Sequence, residues 1–110
     1  MSLIELDLSS AIERMGDKKL FLEIAYSFSV LLPEIQDDIA AALAAGSMQE
    51  ARRLVHSLKS NCASMGAEKL RAEVYTLEQA CNAGDKEGAT LLFEGLRPKL
   101  DIFSRQLVEL

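Results

Sequence analysis

His56 is the single histidine in a chain of 110 residues, and its neighbours make it a candidate nucleophile. Lys59 and Ser60 follow three and four residues later, the spacing at which side chains share one face of a helix. Ala63 falls two turns along that face, and Arg52 and Arg53 lie one turn before it. At about 100° per residue, His56 sits roughly 140° from the centre of the stripe made by Leu54, Val55, Leu58 and Cys62. The ring is therefore predicted to face water. An imidazole ordinarily titrates near pH ~6.5, so around neutrality much of it carries a free lone pair. A neighbouring ammonium disfavours the protonated ring and suits an arriving anionic group such as a phosphoryl. Small Ser and Ala side chains leave room for another protein's backbone to approach. A lone histidine is more often a plain structural or surface residue; Lys59, Ser60 and Ala63 tip the reading toward chemistry.

A second helix can be brought to bear by counting. If the segments flanking Gly66 form an antiparallel hairpin, His56 lies level with about residue 76 or 77. Glu78 flanks the apolar Leu77, roughly 80° from the centre of its stripe. It can accept a hydrogen bond from one ring nitrogen, fixing the tautomer and leaving the other nitrogen free to attack. Gln79 points farther outward and is the less favoured partner. The same count places Cys62 and Cys81 some ~16 Å apart along the axis. A disulfide needs Cα atoms within ~7 Å, so both are read as core hydrophobes.

The elements that must position these groups are helical throughout. Apolar residues recur every three or four positions, and none alternates with period two. A short segment, Asp7 to Met15, turns Ile12 and Met15 inward and ends at Gly16. Asp17 caps a long helix with an expected stripe of Phe21, Ile24, Phe28, Leu31, Ile35, Ile39 and Ala42, kinked at Pro33 and closed by Gly46. Ser47 and Glu50 match a capping box ahead of Ala51, Leu54, Val55, Leu58, Cys62 and Met65. Leu70, Val74, Leu77 and Cys81 form the next stripe, stopped by Gly84. Asp85 caps a last helix with Ala89, Leu92, Phe93, Leu96, Leu100, Phe103, Leu107 and Leu110 inside and Pro98 as a bend. Short connections imply antiparallel neighbours. The predicted fold is all-α, an antiparallel up-down four-helix bundle with a short additional N-terminal helix across one end. It occupies 1–110 as a single domain, with residues 1–3 a disordered start or a cloning remnant.

Composition narrows the function. Hydrophobic residues make up 49% and charged residues 26%, which suits a folded domain. A net charge of −5 argues against nucleic acid, since phosphate backbones are held by basic patches. No apolar run approaches the ~20 residues of a membrane span, and the start, Met1-Ser2-Leu3, lacks the basic region and cleavage site of a secretory signal, so a cytoplasmic location is expected. The sequence offers no Gly-rich phosphate loop and no metal-ligand spacing, so no cofactor of its own and no autonomous kinase or ATPase activity are expected. A hydrolase built on His56 lacks a convincing nucleophile and orienter. A non-catalytic helical adaptor remains the alternative.

The stretch His56-Ser57-Leu58-Lys59-Ser60-Asn61-Cys62-Ala63-Ser64-Met65-Gly66-Ala67, followed by Leu70 and Leu77-Glu78, resembles the histidine-containing phosphotransfer (HPt) domain of bacterial phosphorelays. That family's signature is H-x-L-K-G with Gly-Ala several residues later. The resemblance implies that His56 accepts a phosphoryl group from the aspartyl phosphate of a receiver domain and passes it to another. It implies that Lys59 balances the phosphoryl charge, that Glu78 orients the imidazole, and that Gly66 shapes the hairpin turn. The implied partners are receiver domains, which would bring Mg²⁺, and a hybrid sensor kinase; the chain itself is expected to be a monomer. Arg52, Ser60 and Ala63 are candidate docking contacts, together with residues of the long second helix. Ser60 departs from the pattern, which has Gly directly after the Lys.

Overall fold

A computed structural model describes residues 2–110, so of the expected N-terminal remnant Met1 lies outside the described residues. Five helices follow one another: α1 (Leu8–Met15), α2 (Lys18–Ala44), α3 (Met48–Ser64), α4 (Glu68–Asn82) and α5 (Lys86–Val108). No strand occurs among the described residues. The longest dimension, 39 Å, is about the length of the 27-residue α2 at 1.5 Å per residue. Helix α3 packs on α2 and on α4, α5 closes the ring against α4 and α2, and α1 lies on α2. The architecture is thus the up-down bundle with a short extra helix that the sequence predicts.

The turns explain the antiparallel order. The three bundle turns end their helices alike, with a left-handed glycine and a backbone bond back to the last turn. The bonds are Ser47 N to Ala42 O (2.9 Å), Ala67 N to Cys62 O (2.9 Å) and Asp85 N to Ala80 O (3.0 Å). This closure satisfies helix-end carbonyls and reverses the chain within a few residues. Gly66 is constrained twice: its φ is +79°, and a Cβ there would lie 2.5 Å from the Asp7 carbonyl oxygen. Asp7 N also donates to Gly66 O (2.9 Å), which pins the start of α1 onto the α3–α4 turn. Asp7, Asp17 and Asp85 each accept from a first-turn amide, as N-caps do. Ser47 makes no such bond, so the expected capping box is not formed. Its Glu50 is drawn instead to Arg53.

The core is aliphatic with three fully buried phenylalanines, Phe21, Phe93 and Phe103, the last meeting Phe28 edge-to-face at 5.8 Å. Stripes on α3 and α4 are buried much as the sequence predicts. Helix α2 differs. Its inward residues are Phe21, Ala25, Phe28, Leu32, Ile39, Ala42 and Leu43, with polar Ser29 and Gln36 among them. Ile24 and Leu31, expected inside, are exposed, as are Leu92 and Leu110 of the last segment. Gln36 reaches Asp101 on α5 (3.1 Å). Pro33 does not interrupt α2: it removes the amide that would bond the Ser29 carbonyl, and the Ser104 hydroxyl donates to that carbonyl instead (2.9 Å). Helix α5 likewise runs through Pro98.

Candidate functional site

The site lies on the outer edge between α3 and α4. His56 projects from the middle of α3, a position fixed by the burial of Val55 and Leu58 on either side, and its side chain is 57% exposed. On α4, Leu77 is wholly buried, which brings the adjacent Glu78 to the α3 edge with only 7% of its surface exposed. Glu78 Oε2 lies 2.5 Å from His56 Nδ1, and Glu78 Oε1 accepts from Lys59 Nζ at 2.6 Å. One carboxylate therefore bridges both groups.

Burial pushes the Glu78 carboxyl up, but hydrogen bonds from Lys59 and His56, with their charges, hold it below its ordinary range. An ionised carboxylate accepts only, so the proton on the ring must sit on Nδ1. In the neutral ring Nε2 then carries the lone pair, and no described residue bonds it. The ring is oriented from behind and open in front. Such an arrangement suits in-line attack on an electrophile delivered from solvent or from another protein.

Lys59 does not stand free beside the ring as its spacing predicts. Its side chain is 20% exposed, folded toward α4 onto Glu78, with Nζ 5.0 Å from the centroid of the Tyr75 ring. Tyr75 escaped the sequence reading. Its one signal is that it precedes Glu78 by three residues and so shares a helix face with it. Gln79 is exposed and makes no bond to His56. Ser60 is exposed one turn below the ring. Ala63 is half-buried another turn on, its carbonyl accepting from Arg14 (3.0 Å). Arg52 is exposed one turn above, whereas Arg53 is tied to Glu50.

Gln36 and Ser29 turn one flank of α2 toward α5, where they meet Asp101 and Ser104. The flank away from those bonds carries Leu20, Ile24 and Leu31, 43%, 40% and 49% exposed. These three leave an apolar strip on α2, a helix that packs on α3.

Cys62 and Cys81 are free and buried, and burial pushes the Cys62 thiol up to about 12. Neither is set up as a nucleophile. Among the described residues no group of three or more His, Cys, Asp or Glu side chains could hold a metal ion. No helix is long and apolar enough to cross a membrane.

Comparison with known proteins bears on this geometry. No curated protein and no solved structure matches the chain. The family model described as the Hpt domain matches residues 23–107, which is 85 of the 110 residues and includes α3, α4 and the whole His56–Lys59–Glu78 cluster. The match, the helical bundle and the exposed histidine agree: the chain belongs to the Hpt domain family, whose role in two-component signalling is of the phosphotransfer type.

Proposed function

We propose that the protein is a phosphorelay intermediate in which His56 takes a phosphoryl group from the aspartyl phosphate of one receiver domain and returns it to the aspartate of another. The observation that carries this reading is the pairing of a committed Nδ1 with an uncommitted Nε2 on one exposed ring. In the forward step the Nε2 lone pair attacks phosphorus. An N–P bond forms, the P–O bond to the receiver's aspartate breaks, and that carboxylate leaves with its electron pair. The ring proton stays on Nδ1, where the Glu78 carboxylate stabilises the positive charge that develops on the imidazole. Lys59 lies one helical turn from His56 and balances part of the phosphoryl charge. The receiver would contribute Mg²⁺ and the remaining electrostatics, so this chain supplies a positioned nucleophile and its partner completes the site.

Docking would use the surface around the ring, with Arg52, Ser60 and Ala63 on α3 and the apolar strip Leu20, Ile24 and Leu31 on α2. Relay partners must separate again, so a contact area at the low end for protein complexes is expected. A cytoplasmic location, a monomeric state and a hybrid sensor kinase upstream fit this role. Incubation with receiver domains charged by a small phosphodonor and Mg²⁺ tests it. Phosphate that is acid-labile and alkali-stable should appear on the wild type and be missing from His56→Ala. A wild-type protein that binds receivers but never acquires phosphate would instead identify a non-catalytic adaptor.

A further inference from the structure

We propose that Tyr75 is a positioning residue for the chemistry at His56 and acts through Lys59, an inference that rests on the phosphotransfer reading above. Tyr75 and Glu78 are three residues apart on α4, so the ring and the carboxylate look into the same space. The Lys59 ammonium lies between them, 2.6 Å from Glu78 Oε1 and 5.0 Å from the ring centroid. A lysine stem is flexible and its ammonium strongly hydrated, so an unwalled Lys59 would spread over many rotamers in water. The carboxylate fixes one side of the ammonium and the aromatic face closes another.

The two contacts differ in what they leave behind. Glu78 neutralises the cation it holds. The face of Tyr75 attracts the cation through its quadrupole and adds no second counter-charge to that of Glu78, so it holds the ammonium in place without screening it further. Core packing does not account for Tyr75, because 44% of it is exposed. Arg71, one turn earlier on α4, is engaged by Glu68 at 2.7 Å, and Lys59 is the cation found over this ring.

Phosphoramidate provides a direct test, because Nε2 can attack its phosphorus and release ammonia with no partner protein. The rate of N-phosphorylation would be followed by ³¹P NMR in the wild type, Tyr75→Leu, Tyr75→Phe, Lys59→Met and the Lys59→Met/Tyr75→Leu double variant. Tyr75→Leu is expected to slow the reaction about two- to fivefold, the range of a partly exposed cation–π contact. Tyr75→Phe should restore the rate, since it retains the ring face. In the Lys59→Met background the Leu substitution should cost nothing further. Ring-current displacement of the Lys59 Cε protons should be present in the wild type and Tyr75→Phe and lost in Tyr75→Leu. A wild-type rate in Tyr75→Leu, or the same loss with and without Lys59, overturns the proposal. Failure of the wild type to be phosphorylated would instead fail the phosphotransfer reading itself, and the role of Tyr75 with it.

Discussion

Glu78→Gln is nearly isosteric, yet it should not be mild. Two donors converge on this one carboxylate: His56 Nδ1–H on Oε2 and Lys59 Nζ on Oε1. A carboxamide offers one acceptor oxygen and one donor nitrogen, so it cannot present an acceptor to each of them in the same geometry. The fully charged ammonium should keep the oxygen. The amide NH₂ then faces Nδ1, and the ring accommodates it by shifting its proton to Nε2, which removes the lone pair needed for attack. Bonds involving a charged group contribute about 1.5–3 kcal/mol and neutral ones about 0.5–1.5 kcal/mol, so the ring bond weakens by about 1 kcal/mol. That corresponds to about a fivefold loss of the attack-ready tautomer, and N-phosphorylation by phosphoramidate should slow by at least that factor. The Lys59 bond weakens comparably, for a total of about 1–2 kcal/mol of stability. In a domain of this size each kcal/mol lowers Tm by roughly 4–8 °C. Ring-nitrogen NMR gives the decisive reading: in the wild type Nδ1 should bear the proton, and in the variant Nε2 should. A variant with wild-type tautomer and wild-type rate would show that one amide oxygen serves both donors, and the argument would be wrong.

Ser60→Arg places bulk one turn below the ring on an exposed position; transfer from a charged receiver should drop at least tenfold, while phosphoramidate labelling and helical content stay unchanged. Equal loss in both phosphorylation assays would mean the substitution acts on the ring and not on docking. Leu31→Glu, on the exposed flank of α2, should weaken receiver transfer without lowering Tm, as measured by transfer kinetics beside thermal melts; a lower Tm would return Leu31 to the core. Gly66→Ala forces a Cβ onto the Asp7 carbonyl and a side chain into the left-handed region, and should cost at least about 2 kcal/mol in urea unfolding. The Glu78 carboxyl is held below the usual 4.5 of a glutamate in the folded protein. The folded state therefore binds that proton less readily than the unfolded chain. Its contribution to stability is complete above the unfolded value and is lost as pH falls through the folded one. Urea midpoints between about pH 5 and pH 3 should fall more steeply for the wild type than for Glu78→Gln, and parallel profiles would count against the ionised bridge.

Much of this was legible in the residues because a helix converts spacing into direction. His56 could be assigned to the outer face from Leu54, Val55, Leu58 and Cys62, and counting about Gly66 brought residue 76 or 77 level with it, beside Glu78. Where the reading failed, a partner in space decided the matter. Lys59 shares a face with His56 in projection, but its long stem swings toward whichever charge is nearest, and Glu78 lies across the helix boundary. Ser47 and Glu50 match a capping pattern, yet Arg53 three residues on takes the carboxylate. Tyr75 carries no pattern of its own; it matters only because α4 turns it to the same cation as Glu78.

The error on α2 is the most informative. Either of two apolar rows could have faced the core: Ile24 and Leu31, or Ala25 and Leu32. A purely hydrophobic ledger favours the row with more carbon, and that row is outside. The choice follows the polar contacts with α5: Gln36, beside Leu32, donates to Asp101, and the Ser29 carbonyl accepts from the Ser104 hydroxyl, while the Ser29 hydroxyl donates to the Tyr26 carbonyl within α2. Rotating α2 by the roughly 100° that brings Ile24 and Leu31 inward would turn Gln36 and the Ser29 carbonyl away from α5 and break both bonds. The bundle therefore accepts an apolar strip of α2 in water. Covering that strip would gain burial that folding leaves unused, as expected of a surface that a partner protein covers. The departure from the simplest core pattern thus lies on α2, while the nucleophile and its carboxylate occupy the edge between α3 and α4.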